Sequence, residues 1–248
     1  MIDAIRSEWI KLRSVRSNVL LLAAVVVVSV GFAVLISLLS HKDSFDDLSQ
    51  RLIPSLVGTA FFCRLLFGVV GVQTIGQEYR FNTIRVTFVN EPRRMRVLAA
   101  KVVVLLGSTL VVSIVTVAAA VGMSSFIMSS RGVPIKFSAP GVGANLVGTI
   151  VLCLLHALVG LGVGAIVRQP VGGIIFMTVW PLVVENILAA ALPKVGKWLP
   201  FTEGIQLVHF DNERQLHVFS RVRGGLYLGL FAVVVLAIGA YLVQRRDA

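Results

Sequence analysis

Six long apolar stretches dominate this chain, and each reaches the roughly 20 residues that a helix needs to cross the hydrocarbon core of a bilayer. Of the 248 residues, 56% are hydrophobic and only 14% are charged, which excludes an ordinary soluble domain. None of the stretches alternates polar and apolar residues as the strands of a membrane barrel do. We therefore predict an all-α integral membrane protein with six transmembrane helices in one domain, residues 1–248. The stretches are Val19–Leu39, Ile53–Ile75, Val97–Met123, Val142–Val167, Val171–Leu192 and Gly224–Val243.

The positions of the basic residues predict the orientation of these helices. The net charge is +11, and most Lys and Arg residues lie beside apolar stretches, where membrane lipids rather than nucleic acid account for them. Because cytoplasmic loops are enriched in Lys and Arg, we place both termini and the second connection in the cytoplasm of a multi-pass plasma-membrane protein. The first connection, with Asp43, Asp46 and Asp47, and the last, residues 193–223, would face outward. The basic residues are Arg6, Lys11, Arg13 and Arg16, then Arg80, Arg85, Arg93, Arg94, Arg96 and Lys101, and finally Arg245 and Arg246.

The N-terminal arm, residues 1–18, has the pattern of an amphipathic helix. Apolar residues recur along one helical face, and the basic residues lie off it. Such a helix would lie on the inner leaflet, although a cytoplasmic extension of the first span would also fit the pattern. The apolar face consists of Ile2, Ile5, Trp9 and Leu12. The predicted membrane anchors are Trp9, Lys11, Arg13 and Arg16 in this arm, and Arg93, Arg94, Arg96 and Lys101 before the third span.

The connection between the second and third apolar stretches is the most informative segment. It reads GQEYRFNTIRVTFVNEPRRMRVLAAK, from Gly76 to Lys101. Its apolar residues can form one side of a short helix, and Pro92 ends that helix. A basic loop that only sets topology would explain the arginines, but not Glu78, the aromatic residues or the apolar spacing.

With this motif, the chain resembles the permease subunits of type-2 ABC exporters, particularly the short actinobacterial kind. The resemblance also rests on EWIKLRSVRSN from Glu8, GLGVGAIVRQPVGG from Gly160 and LPKVGKWLPFTEGIQL from Leu192. It implies a half-transporter that pairs with a second permease, a copy or a paralogue, and docks a cytoplasmic ABC ATPase. It also implies a coupling helix at Gly76–Val89, within a coupling segment of residues 76–96, and short helices that dip into the outer leaflet within residues 193–223. Asn82 stands where the family usually has Gly. The implied coupling residues are Glu78, Tyr79, Arg80, Thr83, Ile84, Arg85 and Phe88.

The chain is not expected to be an enzyme. It has no G-x-x-x-x-G-K-[ST] phosphate loop, so ATP and Mg²⁺ would bind the partner subunit, and no cofactor is expected here. No catalytic or metal-binding residues are predicted, since Cys63 and Cys153 both lie inside apolar stretches.

Three polar residues inside the apolar stretches stand out: Arg64, His156 and Glu185. At 1.5 Å per residue, Arg64 would lie about 16 Å and Glu185 about 10 Å from the outer ends of their spans. Charges at such depth usually mark function or a partner, so we predict an ion pair between them, unless both span edges are misplaced and the groups lie in water. For His156, an interior histidine bonded to a neighbouring helix is favoured over a proton relay. Pro181 predicts a kink in the fifth span, and Gly160 with Gly164 predicts close helix packing.

The sequence therefore favours the permease of an ATP-driven exporter. Few polar residues occur in the spans, so the substrate would be amphipathic or lipid-like, such as a drug, a lipid or a hydrophobic peptide. A gradient-driven secondary transporter and a non-transporting membrane scaffold are the alternatives, and the first of these would need an inverted internal repeat.

Overall fold

A computed structural model describes residues 1–39, 53–132, 142–208 and 220–245 of the chain. These residues form helices and contain no strand, so the predicted all-α fold is confirmed for this part of the chain. A π-helical segment, Trp180–Val184, lies between α7 and α8, and a 3₁₀ turn, Ile205–Val208, follows α10. The α-helices are α1 (Ile2–Ser14), α2 (Arg16–Leu39), α3 (Ile53–Arg80), α4 (Thr83–Asn90), α5 (Arg94–Ser130), α6 (Val142–Val167), α7 (Pro170–Val179), α8 (Glu185–Ala191), α9 (Pro193–Gly196), α10 (Pro200–Gly204) and α11 (Arg221–Arg245).

Within the described ranges, six helical units are long and apolar enough to cross a membrane, as predicted. They are α2, α3, α5, α6, the continuous unit from α7 to α8, and α11. The third span is longer than its apolar stretch suggested, because α5 runs for 37 residues, from Arg94 to Ser130. Its polar ends contain neither Pro nor Gly, so the helix continues to Ser130, and Gly132, with a positive φ of 74°, turns the chain after it.

The centre of the bundle is the contact between α3 and α6, which are the most buried spans. The two backbones approach closely at Gly160, where an added Cβ would stand 2.0 Å from the carbonyl oxygen of Gly68. At Gly164, an added Cβ would stand 2.8 Å from the carbonyl oxygen of Val72. The predicted packing role of these two glycines is confirmed, since any side chain at Gly160 would push the helices apart.

The fifth span changes its helical form at Pro181, where a kink was predicted. Pro has no backbone N–H and cannot donate to the carbonyl one turn earlier, and the chain forms a π-helical segment there. That segment ends directly before Glu185, the first residue of α8.

The connection after α8 folds back against the bundle. Phe201 in α10 is buried, and its ring centroid lies 5.2 Å from that of His156 in α6 and 5.8 Å from that of Phe231 in α11. Two predicted boundaries change here, because Arg221–Arg223 belong to α11 and not to the connection. Residues 209–219, the acidic first connection with Asp43, Asp46 and Asp47, and Arg246 lie outside the described residues.

Candidate functional site

The candidate site lies at the end of the bundle where α1 and α4 meet α3 and α5, called here the α1–α4 end. Helix α1 ends at Ser14, before the predicted limit, because Val15 is extended (φ −85°, ψ 109°) and turns the chain into α2. The buried residue of α1 is Glu8, whereas Ile2 and Trp9 of the predicted apolar face are exposed. Within this chain, α1 therefore packs through a carboxylate, with Ile5 and Leu12 partly buried and Ile2 and Trp9 uncovered.

Lys11 joins α1 to two other helices. Its Nζ donates to Glu8 Oε1 at 2.7 Å, to Glu78 Oε1 of α3 at 2.8 Å and to Thr87 Oγ1 of α4 at 3.2 Å. An ammonium group has three N–H donors, and these three acceptors use all of them. The hydroxyl of Thr87 in turn donates to the backbone carbonyl of Thr83 at 3.2 Å. Lys11 thus holds α4 to α1 and α3 by hydrogen bonds.

Lys101 joins the same carboxylates from the side of α5. Its Nζ donates to Glu8 Oε2 and to Glu78 Oε1, each at 2.7 Å, and to the backbone carbonyl of Thr74 at 3.3 Å. The Lys101 side chain is only 1% exposed, and both carboxylates are buried. A buried ammonium group must be paired, and here all three of its donors have acceptors.

The four charged groups of this ion cluster, Glu8, Lys11, Glu78 and Lys101, sum to zero. Burial disfavours the charged form of Lys11, but the hydrogen bonds to Glu78 and Glu8 outweigh it, so the pKa of Lys11 lies above its ordinary value. The cluster ties α1, α3 and α5 together, and through Thr87 it also holds α4.

Helix α4 is a separate element and not a continuation of α3. The predicted coupling helix began at Gly76, but Gly76–Arg80 belong to α3, and the chain turns at Phe81 and Asn82. Asn82 is left-handed (φ 55°, ψ 17°), a conformation that Gly adopts freely and Asn tolerates better than most residues. This backbone suits the Gly that the resemblance implies at this position, and Asn can also adopt it.

The apolar residues of α4 do not all face the bundle. Ile84 is buried and Phe88 is partly buried, whereas Val86 and Val89 are exposed, Val89 by 80%. The expected single apolar side is therefore divided, because Ile84 and Phe88 are one helical turn apart and Val86 and Val89 point away from them.

Two arginines hold aromatic residues of the predicted coupling segment. The guanidinium of Arg94 lies 5.1 Å from the ring centroid of Phe88, and its Nη1 donates to the carbonyl of Val243 in α11 at 2.8 Å. The guanidinium of Arg168, in the turn after α6, lies 5.1 Å from the ring of Tyr79. Cation–π contacts of this kind fix the rings of both aromatic residues. Other predicted coupling and anchoring residues are exposed to solvent or lipid: Trp9, Arg13, Arg16, Arg80, Thr83, Arg85, Arg93 and Arg96.

The polar residues predicted inside the spans are all buried, but the structure does not pair them as predicted. The Glu185 carboxylate accepts hydrogen bonds from the N–H of Phe201 at 3.3 Å and from the N–H and Oγ1 of Thr202 at 2.7 and 2.8 Å. Among the described residues, no ion pair joins it to Arg64. The predicted direct pair is wrong because the first amides of α10 take the carboxylate.

His156 is an interior histidine that bonds within its own helix, and not to a neighbouring helix as predicted. Its Nδ1 lies 2.9 Å from the carbonyl of Leu152, while Nε2 is buried without a hydrogen-bond partner. Across the part of the chain that the structure describes, no three His, Cys, Asp or Glu residues lie close enough to hold a metal ion.

A family of known membrane proteins matches most of this chain. The family described as ABC-2 family transporter protein matches residues 4–183, from α1 to the π-helical segment. The chain belongs to this family. A search of curated proteins found no match.

The whole ion cluster of this ABC-2 family protein lies inside the matched residues, as do Arg64 and His156. Glu185 and the short helices that it holds lie beyond them. ABC-2 permeases are membrane components that normally work with a separate ATP-binding subunit, so the ATPase is expected in another chain.

Sequence reasoning missed three polar partners in this ABC-2 family protein. Glu8 was part of the N-terminal motif, and its spacing of three residues from Lys11 could have indicated a pair on one helical face. Thr87 and Thr202 gave no comparable signal, because their partners are distant in the sequence.

Proposed function

We propose that this protein is the permease subunit of an ATP-driven exporter. It would pair with a second permease and dock two cytoplasmic ATPase subunits, and it would move an amphipathic or lipid-like substrate out of the cell across the plasma membrane. The observation that carries the proposal is the ion cluster, because it joins α4 to α1, α3 and α5 at one end of the bundle.

Helix α4 has the properties of a docking element. Val86 and Val89 are exposed on it, next to the exposed Phe81 in the preceding turn and the exposed Arg85. An apolar patch rimmed by charge is typical of a surface that binds another protein. Since these residues would lie at or beyond the inner leaflet, the ATPase is their natural partner.

A cleft between α1, α4 and α5 adds a second feature to this surface. Its volume is about 460 Å³, and its charged lining is Asp3, Glu8, Lys11 and Glu91, beside Val86. Glu8 and Lys11 pair with each other, which leaves the carboxylates of Asp3 and Glu91. In a chain of net charge +11, two carboxylates at one cleft favour a basic side chain of the ATPase as the group that enters it.

Movement of α4 would reach the spans through the ion cluster. When ATP binding draws the two ATPases together, a force on α4 would act on Lys11 through Thr87, and on α3 and α5 through Glu78 and Lys101. The hydrogen bonds between the charged groups are short, and the carboxylates and Lys101 are buried, so α1, α3 and α5 would move as a unit once α4 pulls on Lys11. We therefore assign the coupling role to α4 and the residues that hold it.

The remaining assignments follow from charge and pattern. The excess of Lys and Arg at the α1–α4 end supports a cytoplasmic position for that end and for both termini. The exposed Ile2 and Trp9 support α1 as the interfacial helix of residues 1–18, with the basic residues at the headgroups. Residues 76–96 would be the coupling segment, and 193–223 the outer connection with its short helices.

The test is purification of the tagged protein from its native membrane under gentle conditions, followed by measurement of co-purifying ATPase and of ATP turnover. We expect an ATPase that is lost from the Arg85→Ala variant, because Arg85 is exposed on α4. For Glu78→Gln, we expect the ATPase to stay bound, while substrate no longer stimulates ATP turnover, because the cluster has lost a charge.

Arg223→Ala serves as the matched control, since Arg223 is exposed at the far end of α11 and makes no contact with α4. It should retain both the ATPase and the stimulation by substrate. Purification of the protein alone under several detergents, with no ATP turnover, would contradict the exporter assignment.

A further inference from the structure

Arg64 is a charged residue in the interior of a membrane span, and no described residue neutralises its charge by contact. It lies on α3, four turns before Glu78, and is only 5% exposed. A charged side chain at this depth is costly and normally pairs with another group. Arg64 therefore needs a partner group.

Among the described residues, the Arg64 guanidinium makes no hydrogen bond. Its Nε is closed off from the surface and has no partner, whereas its terminal nitrogens are not closed off. One face lies against the ring of Phe61, with the guanidinium carbon 5.3 Å from the ring centroid. The group is thus stacked on one side and has N–H donors to offer on its edge.

Among the described residues, no nearby group supplies an anion in contact with Arg64. Its charge acts on Glu185, Cys153 and His156, and only Glu185 is acidic. The Glu185 carboxylate already accepts three hydrogen bonds from Phe201 and Thr202. An acceptor for the Arg64 donors must therefore come from outside the described residues.

The surroundings of Arg64 suit a molecule with an apolar body. Phe61 and Phe62 on α3 have ring centroids 5.3 Å apart, and Phe62 lies 4.4 Å from Phe32 on α2. These rings are partly exposed, and the ring of Phe61 is the one that stacks on the guanidinium. An apolar tail can pack on this ring, while an anionic group accepts hydrogen bonds from the arginine.

We propose that Arg64 binds the anionic headgroup, a sulfonate, phosphate or carboxylate, of an acidic amphiphile whose tail packs on Phe61. The proposal rests on the proposed function in one respect, since it names the class of substrate that the exporter would accept. Arginine suits this role because its planar guanidinium can bind two oxygens of such a group at once.

The test is photolabelling of the purified protein in nanodiscs of zwitterionic lipid, without ATPase or ATP. The probes are a long-chain alkyl sulfonate with a diazirine in its tail, the matched alkyl alcohol and the matched quaternary alkylammonium. Because a hydrogen bond from arginine is stronger to a charged acceptor than to a neutral one, we expect the sulfonate to label α3 near Phe61 roughly tenfold more than the alcohol. The ammonium probe should label less than the alcohol.

Arg64→Gln should lower labelling by the sulfonate to the level of the alcohol, while Arg64→Lys should keep most of it. Arg223→Gln, which removes an exposed arginine from α11, should change nothing. Gel filtration and thermal unfolding would show that each variant folds, and the loss of Arg64 breaks no hydrogen bond among the described residues.

Equal labelling by sulfonate and alcohol in the wild-type protein would overturn the proposal. So would an Arg64→Gln variant that labels like the wild type, or one whose only change is dissociation of a permease dimer, which would assign Arg64 to an acid of the second subunit. Because the assay uses no ATPase, a negative labelling result would leave the exporter assignment intact for neutral or cationic amphiphiles. Loss of ATPase binding alone would leave the anion site intact.

Discussion

Replacing Lys101 by Met should destabilise the fold more than any other single change in the ion cluster. The variant keeps the volume of the side chain but leaves Glu8 and Glu78 with one ammonium instead of two, so the cluster changes from neutral to a charge of −1. Three hydrogen bonds are lost, two of them to carboxylates at 2.7 Å. The effect is large because Lys101 is 1% exposed and water cannot replace it.

The magnitude follows from the burial of the pair. Removing one partner of a buried ion pair costs about 3–5 kcal/mol. Lys11 remains beside both carboxylates, and its side chain is 38% exposed, so we take about 3 kcal/mol as the net loss. For a chain of this size, each 1 kcal/mol shifts the midpoint by roughly 2–4 °C, which predicts a fall of about 6–12 °C.

The assay is thermal unfolding of the purified protein in nanodiscs, with Lys194→Met as the matched control. Lys194 is exposed on α9, outside the cluster, and the midpoint of that variant should stay within about 2 °C of the wild type. A double-mutant cycle combines Lys101→Met with Glu78→Gln. The double variant should recover part of the lost stability, because it has one carboxylate fewer than Lys101→Met alone and is again neutral. A Lys101→Met variant that unfolds within about 2 °C of the wild type, or a double variant with simply additive losses, would refute the reasoning.

Three further measurements probe the fold and the cluster. The pKa of Lys11 lies above its ordinary value of 10.5, so the stabilisation by Lys11 is complete below that value and is lost as the pH rises through the raised pKa. The difference in unfolding midpoint between wild type and Lys11→Met should therefore be constant from about pH 7 to 9 and shrink only at higher pH. A difference that shrinks below about pH 9 would contradict this. Asn82→Gly should unfold at or slightly above the wild-type midpoint, whereas Asn82→Val should lose about 1–2 kcal/mol, because a β-branched residue opposes the left-handed backbone; equal midpoints would show that this backbone conformation is not maintained. Gly160→Ala should unfold well below the wild type, because the added carbon meets the carbonyl of Gly68, whereas Gly107→Ala, with open space around it, should be neutral or stabilising; the opposite order would refute the packing of α3 on α6.

The spans and the C-terminal end of α4 could be predicted from the sequence because each depends on local residues. Apolar length alone predicts a span, and Pro92 follows the end of α4 through its own backbone preference. The start of α4 was wrongly predicted at Gly76, because the turn at Asn82 uses a left-handed backbone that the sequence pattern did not reveal. The contacts of Lys101 could not be predicted in the same way, since Glu8 is 93 residues away and their meeting depends on how α1 packs on α5.

The error over Arg64 and Glu185 has a physical origin that the depth estimate omitted. Counting residues from the ends of two spans places two opposite charges at similar depth, and in hydrocarbon they would have no other partner. The fold instead brings the first amides of α10 to Glu185, and backbone N–H groups compete with an arginine for a carboxylate. Depth alone predicts which charged residues meet only where no short helix such as α10 packs among the spans and offers other hydrogen-bond donors.

Helix α3 carries charges at two levels, and the structure treats them in opposite ways. Glu78, near its end, shares one oxygen between two lysines, whereas Arg64, 14 residues or about 21 Å earlier, has no hydrogen-bonded partner among the described residues. The stretch between them packs on α6 through Gly68 and Gly160, where neither backbone has room to yield. A helix so confined moves as a rod, and a displacement imposed at Glu78 therefore reaches Arg64 with little loss. In the proposed exporter, one helix would thus connect the site that receives the force of the ATPase to the site that holds the headgroup of the substrate.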